Sequence, residues 1–162
     1  MERYLPVDIS YDDITEERYF VTSSRTVTEA DVMLFAGLTG DYNELHTSRE
    51  YAEKTAFGQR IAHGMLTLSI ANGLYMRMNI FEKCTVANLG IEKWAFKKSV
   101  LFGDTLHVKL TLAEKRLTSN PDRGVIKWNV SVLNQNDEEV AGGIWVKMFL
   151  TKEAYLRKIA AN

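Results

Sequence analysis

Between Gly40 and His46 the chain reads Gly-Asp-Tyr-Asn-Glu-Leu-His, which places a carboxylate and an imidazole five residues apart. Five is not a helical spacing, but in a turn Asp41 and His46 can converge on one point. A carboxylate and an imidazole beside one water can activate it and shuttle its protons. Asn43 lies between them and could hold that water through its amide. The plainer alternative is an ordinary Gly/Asp/Asn turn with a surface histidine. Further on, His63-Gly64 opens an apolar helical stretch. A helix start offers unpaired N–H groups and the positive end of the dipole. Without a Cβ, Gly64 lets a carbonyl oxygen approach its N–H, the geometry that stabilises a developing enolate. His63 itself is expected only to cap or pack.

Other groups carry weaker signals. Asp41, His46 and His63 could supply three metal ligands, but their spacing matches no zinc motif, so no metal is expected. Cys84 has no companion and reads as a packed thiol. Ser69 falls in mid-helix, a small packing residue or one that orients a neighbour. Lys93, Lys97 and Lys98 form a basic cluster that could meet phosphates or simply line a solvated strand face.

The elements that must position these residues follow from periodicity. Residues 17–23 predict a first strand. Thr28 is a candidate N-cap, with Glu29 and Asp31 in the first turn of a short helix that Gly37 or Gly40 ends. Residues 39–47 have no usable period and read as loop. Ser48 can cap a second short helix that stops at Gly58. From Gly64 to Met78, Leu66, Ile70, Leu74 and Met78 share one face, and Met65, Leu68 and Tyr75 widen it. A helix this apolar belongs inside a core, and it is expected to be the only long one.

After residue 84 the period becomes two. Leu106, Val108, Leu110 and Leu112 form one alternating set; Ile126, Trp128, Val130 and Val132 form another; Ile144, Val146, Met148 and Leu150 form a third. Residues 86–97 make a further strand, with a phase slip near Lys93 and Trp94 that predicts a bulge. Turns are expected at 120–124 and 134–138. One buried helix and four long antiparallel strands make an α+β plan in which the sheet curls around the helix. Trp128, Trp145 and Phe149 are more aromatic surface than one helix can cover, so some are expected at a subunit interface.

Composition bounds the rest. The 162 residues are about one domain's length, and neither a repeat nor a linker divides them. With 20 basic and 21 acidic residues the net charge is −1, so no global field draws in nucleic acid or an anionic membrane. One cysteine fits a reducing compartment, and the first thirteen residues lack the basic and apolar regions of a signal peptide. The expectation is a soluble cytoplasmic protein.

The run Phe35-Ala-Gly-Leu-Thr-Gly-Asp-Tyr-Asn-Glu-Leu-His46, with Tyr51-Ala52, Phe57-Gly58 and Arg60-Ile-Ala-His-Gly-Met-Leu66, resembles the hydratase-2 motif of the MaoC-like (R)-specific enoyl-CoA hydratases. Val100-Leu-Phe-Gly-Asp-Thr-Leu106 is similar to that family's second landmark. The likeness runs from about Thr26 to Leu150. It implies a hot-dog fold, a long central helix wrapped by a curved antiparallel sheet, usually paired into dimers. It implies trans-2-enoyl-CoA thioesters as substrates and reversible addition of water to give (R)-3-hydroxyacyl-CoA. Coenzyme A would enter as part of the substrate, with no separate cofactor. By position in the motif, Asp41 and His46 correspond to the catalytic pair, Asn43 to a water-holding residue, Gly64 to the thioester-carbonyl donor and Ser69 to a supporting serine.

Two positions depart from the family pattern. Glu44 and Ser99 stand where prolines are usual. Each change frees the unfolded chain at a cost of roughly 0.4–1 kcal/mol and removes no reacting group. An inward-pointing Glu44 would favour protonation of both Asp41 and His46. The rival activities are a hot-dog thioesterase, with water aimed at the carbonyl carbon, and a non-catalytic acyl-CoA-binding or regulatory protein, since fold alone does not settle function.

Overall fold

The structure, a computed structural model, describes residues 8–161; the reading of the N-terminus as free of a signal peptide falls in part on residues 1–7, outside the described residues. Helix α1 spans Glu29–Thr39. Thr28 and Asp31 cap it reciprocally: the Thr28 hydroxyl accepts from the Asp31 N–H, and the Asp31 carboxylate accepts from the Thr28 N–H. It ends at Gly40, whose φ of 80° is the left-handed conformation that glycine adopts without a Cβ penalty. At 11 residues α1 nearly equals the 13-residue helix α4, Gly64–Met76, so α4 is not the only long helix. Residues 39–47, expected as loop, contain a one-turn helix α2, Glu44–Thr47, and α3 follows at Arg49–Glu53. A C-terminal helix α5, Lys152–Ala160, has no counterpart in the sequence reading.

The strands are β1 (Tyr19–Val21), β2 (Arg25–Thr26), β3 (Thr85–Phe96), β4 (Thr105–Leu117), β5 (Arg123–Leu133) and β6 (Glu139–Leu150). They pair antiparallel in the order β1-β4-β5-β6-β3, with β2 also on β4. β3 is therefore an edge strand. Its register on β6 slips three times, one slip falling between Glu92 and Ala95, where the phase break at Lys93 and Trp94 anticipates it. Lys93 sits there with a φ of 52°.

Leu66, Ile70, Leu74 and Tyr75 of α4 pack into one core with Leu106, Val108, Leu110, Ile126, Trp128 and Val130 of the sheet. In β6 the sequence pattern selects the wrong face. Trp145, Lys147 and Phe149 are the buried set, whereas Ile144, Val146, Met148 and Leu150 are half-buried. From Ile144 to Leu150 both faces of β6 are apolar apart from one lysine, and that lysine points inward. The expected aromatic interface is corrected with it: Trp128, Trp145 and Phe149 are 0%, 3% and 0% exposed within the single chain. Phe20, Phe81 and Tyr75 add the surface that covers them. Phe81 stacks on Tyr75 at 4.9 Å, and Phe20 meets Trp128 edge-on at 5.6 Å. Among the described residues no helix is long and apolar enough to cross a membrane.

Candidate active site

Short local bonds shape the loop after α1. The Thr39 hydroxyl accepts from the Asp41 N–H, and Asp41 Oδ1 accepts from the Asn43 N–H, both at 3.3 Å. Asn43 Oδ1 in turn accepts from the Leu45 N–H at 2.9 Å and caps α2. That cap is why a four-residue helix forms where no period is visible. It also changes the expectation for Asn43: its carbonyl oxygen is committed to the helix, and its NH₂ group is what a water could use.

Residues 60–62 clip this loop to the rest of the fold. Ile61 bridges Leu101, and the Ala62 N–H donates to the Val100 carbonyl at 2.8 Å. His46 Nδ1 lies 2.8 Å from the Ile61 carbonyl. A carbonyl only accepts, so Nδ1 carries the proton and the lone pair sits on Nε2. His63 Nε2 lies 2.9 Å from the Asp41 carbonyl and donates to it by the same logic. The two imidazoles face each other with ring centroids 3.8 Å apart. Phe35 of α1 packs against His63 at 5.1 Å.

The fold brings Asp41, His46 and His63 together, with their ligand-capable atoms within 4.8 Å of one another. Asp41 is exposed, His46 half-buried and His63 buried. This set can hold a water between a carboxylate and an imidazole lone pair. It is also a donor set of the kind that suits a divalent cation, although its sequence spacing matches no zinc motif. His63 does more than the capping or packing expected of it. It occupies the N-cap position of α4 but makes no side-chain cap. Its bond to Asp41 ties the loop to the helix start. The only sequence signal for this role is its place directly before Gly64.

Gly64 is the first residue of α4, so its N–H is one of those without an intrahelical acceptor. A Cβ there would lie 3.0 Å from three atoms of the Phe96 ring. His46 and Gly64 line one cavity of about 350 Å³ with Phe57, Phe96, Lys97 and Lys98 among its walls. Lys97 and Lys98 thus reach the cavity, each paired 2.5 Å from Glu139 and Glu138 respectively. Lys93, at the bulge, does not line it, so the three lysines are not one patch. Ser69 is also apart from it: the hydroxyl is on the exposed side of α4 and donates to the Met65 carbonyl at 2.8 Å. Glu44 is exposed in the first turn of α2, where its charge meets the helix dipole rather than pointing inward. Ser99 is half-buried in the cavity wall. Cys84 is fully buried, and burial pushes its thiol up to about 12, which fits a packed thiol.

The chain is 32% identical over 131 residues to Protein MaoC of Klebsiella aerogenes, a match covering 79% of this chain and 38% of that one. It is 32% identical over 102 residues to an (R)-specific enoyl-CoA hydratase of Rhodospirillum rubrum, covering 63% and 68% of the two chains. A solved monoamine oxidase regulatory protein from Archaeoglobus fulgius superposes with a TM-score of 0.82 at 33% identity, over 90% of this chain and 96% of that one. A Mycobacterium tuberculosis protein described as a double hot-dog fold superposes with a TM-score of 0.78 at 18% identity, over 90% of this chain and 45% of that one. The α+β architecture is thus the hot-dog fold. The MaoC-like domain model matches residues 13–132, and the chain belongs to that family.

Proposed function

We propose that the chain adds water reversibly to trans-2-enoyl-CoA thioesters, giving (R)-3-hydroxyacyl-CoA. The observation that carries this reading is the placing of His46 and Gly64, the first residue of α4, on one cavity, with the Asp41 carboxylate within 4.8 Å of the imidazole. A relative named as an (R)-specific enoyl-CoA hydratase supports it.

Water is a poor nucleophile toward C3 of an enoyl thioester. A hydrogen bond from the Gly64 N–H to the thioester oxygen makes C3 more electrophilic and stabilises the enolate that forms. Such a donor contributes about 10²- to 10³-fold. Asp41 and the His46 Nε2 lone pair take one proton from the water as its oxygen bonds to C3. A proton returned to C2 completes the addition, so the elements of water are conserved across the double bond. Acid–base help of this kind contributes about 10²- to 10⁴-fold. The Asn43 NH₂ group holds the water. Ser69, outside the His46 cavity, lines the neighbouring cavity along α4 and supports the acyl chain there rather than the reacting atoms. The reaction uses no metal or separate cofactor; coenzyme A arrives with the substrate, and Lys97 and Lys98 meet its phosphates at the cavity wall.

The working unit is a homodimer. β3 is a twelve-residue edge strand that exposes Val86, Leu89, Ile91 and Phe96. A long apolar edge of this kind invites pairing with a second strand. Sedimentation at micromolar concentration should show twice the 18.5 kDa chain mass.

The deciding assay follows loss of the enoyl absorbance with crotonyl-CoA and longer trans-2-enoyl-CoAs, and measures free thiol in the same samples. Hydration without thiol release, with an (R) product, supports the reading. Thiol release without hydration makes the chain a thioesterase, and binding without either makes it an acyl-CoA-binding protein.

A further inference from the structure

Lys147 is 3% exposed, on the face of β6 that looks at α4. Its Nζ donates to Asn88 Oδ1 and lies 3.5 Å from Asn72 Oδ1. It also sits over the Tyr75 ring at 4.4 Å and the Trp145 ring at 5.1 Å. No carboxylate among the described residues pairs with it. Burying an ammonium is expensive unless an anion compensates it, and here only two neutral amide oxygens and two aromatic faces do so. An ammonium has three N–H donors, so two amide oxygens leave one for another acceptor.

Lys147 also borders open space. Lys147, Asn72 and Asn88 line a cavity of about 460 Å³ whose other walls include Leu68, Ile91 and Trp145. The cavity is a half-open groove with mostly apolar walls and one cation in it. It follows the His46 cavity along α4, since Gly64 and Thr67 line the first, and Leu68 and Asn72 the second. Asn72 is eight residues beyond Gly64, about 12 Å along the helix axis. A medium-length acyl chain held by its thioester at Gly64 and running along α4 would end beside Lys147.

We infer that Lys147, with Asn72 and Asn88, is a subsite for an anionic terminus on the acyl chain, so that the enzyme selects medium-length enoyl thioesters bearing a distal carboxylate over those ending in methyl. The inference rests on the proposed hydratase reading and specifies its substrate. An incoming carboxylate completes the pairing of a charge that the fold already holds in place, whereas a methyl terminus leaves that charge facing hydrocarbon. Burial without a counter-charge also lowers the amine's affinity for its proton.

The test compares two trans-2-enoyl-CoAs of eight acyl carbons, one ending in methyl and one in carboxylate, with Lys147→Met and Lys147→Gln as variants. The wild type should favour the carboxylated substrate by about tenfold or more in kcat/KM, since a site built to bond a polar group discriminates strongly against its absence. Each variant should collapse that ratio toward one or reverse it. Equal kcat/KM for the two substrates in the wild type, or a ratio that neither variant changes, overturns the subsite. If the wild type hydrates neither these nor crotonyl-CoA, the hydratase reading fails separately. The subsite is then decided by intrinsic tryptophan fluorescence, to which Trp145 beside Lys147 contributes, titrating the wild type with saturated octanoyl-CoA and octanedioyl-CoA. Tighter binding of octanedioyl-CoA supports it and equal binding overturns it.

Discussion

His46 and His63 stack with ring centroids 3.8 Å apart and planes inclined by 35°, and each ring donates an N–H hydrogen bond to a backbone carbonyl, that of Ile61 for His46 and that of Asp41 for His63. The pair therefore ties the loop bearing Asp41 to the start of α4. His63 is buried and is not among the residues lining the His46 cavity, so its role is to position. Its own Nδ1 is buried with no partner, a cost accepted inside the fold.

His63→Phe should keep the packing and lose the bond to Asp41. We expect kcat to fall by about tenfold or more with KM little changed, because a misplaced base costs rate rather than binding. His63→Gln can still donate an amide N–H toward the Asp41 carbonyl and should recover part of the loss. Equal kcat in Phe and Gln variants that both melt like the wild type would reduce His63 to packing. Steady-state hydration kinetics with thermal melts separate the two.

Asp41 and His46 should behave as one unit. Asp41→Asn keeps shape but removes the basic oxygen, and His46→Gln cannot shuttle a proton. Each is expected to lower kcat by about 10²-fold or more. The double variant should lose much less than the product of the two losses, since residues serving one proton transfer are not additive. Asn43→Ala should retain more activity than either single variant, although loss of the α2 cap lowers stability by about 1 kcal/mol. Hydration that survives loss of Asp41 or His46 would move the chemistry away from this loop.

Gly64→Ala probes the helix start. The added methyl would lie 3.0 Å from the Phe96 ring, and both Gly64 and Phe96 line the His46 cavity. Phe96 is half-exposed and can swing aside, so the fold should survive. The thioester oxygen then loses its close approach, and kcat should fall by about 10²-fold with circular dichroism unchanged. Full activity would mean that another donor meets the carbonyl.

The contrast between Trp128 and Trp145 shows what the sequence makes legible. In β5 the alternation is clean, because polar Lys127, Asn129 and Ser131 separate the buried residues, and Trp128 falls on the core face as read. In β6 both alternating sets are apolar except at Lys147, so pattern alone puts the lysine outside and the wrong set inside. Its ammonium over two aromatic rings is a tertiary fact that no period reports. The α4 face was legible because Leu66, Ile70 and Leu74 repeat at helical spacing. The Asp41–His46 loop was legible as chemistry but not as geometry. Its one-turn helix depends on the Asn43 cap, and its anchoring depends on His63, seventeen residues after His46. α5 is only nine residues long, and its start rests on the Thr151 hydroxyl accepting from the Ala154 N–H, a cap that no period reports.

Reversing the charge of Lys97 and Lys98 should distinguish a phosphate contact from a surface ion pair. Each lysine is half-exposed and paired with Glu139 or Glu138, and such pairs contribute only about 0–1 kcal/mol. Lys97→Glu with Lys98→Glu should therefore leave the melting temperature nearly unchanged. If the pair meets coenzyme A, KM should rise at low salt and the rise should shrink at high salt, because exposed charges are screened beyond about 10 Å at 0.1 M. A KM unchanged at both salt levels would assign the lysines to Glu138 and Glu139 alone.

Lys147 makes a prediction about stability that is independent of any substrate. Burial lowers its ammonium from the ordinary lysine range, 10.5, to about 8 in the folded chain. The other titratable group facing it is Tyr75, whose hydroxyl burial pushes up, so the phenol stays neutral and offers no compensating charge. Below about 8 the amine is charged in both folded and unfolded chains, and the folded state carries the full cost of burying it. Between about 8 and 10.5 the unfolded chain binds more protons than the folded one, so this group makes stability rise with pH. Above 10.5 both states are neutral and the cost is gone. Lys147→Met removes the charge and keeps most of the volume, so it should raise stability at pH 7, in line with buried charges replaced by apolar groups of similar size. The ceiling is about 3 kcal/mol, from roughly 1.4 kcal/mol for each pH unit of displacement, less what the Asn72, Asn88 and ring contacts return. The gain should narrow as the pH is taken from 8 to 10.5. Urea unfolding of wild type and variant at pH 7, 9 and 10.5 measures this directly. A difference that stays constant across the three would mean that Lys147 titrates as an ordinary surface lysine.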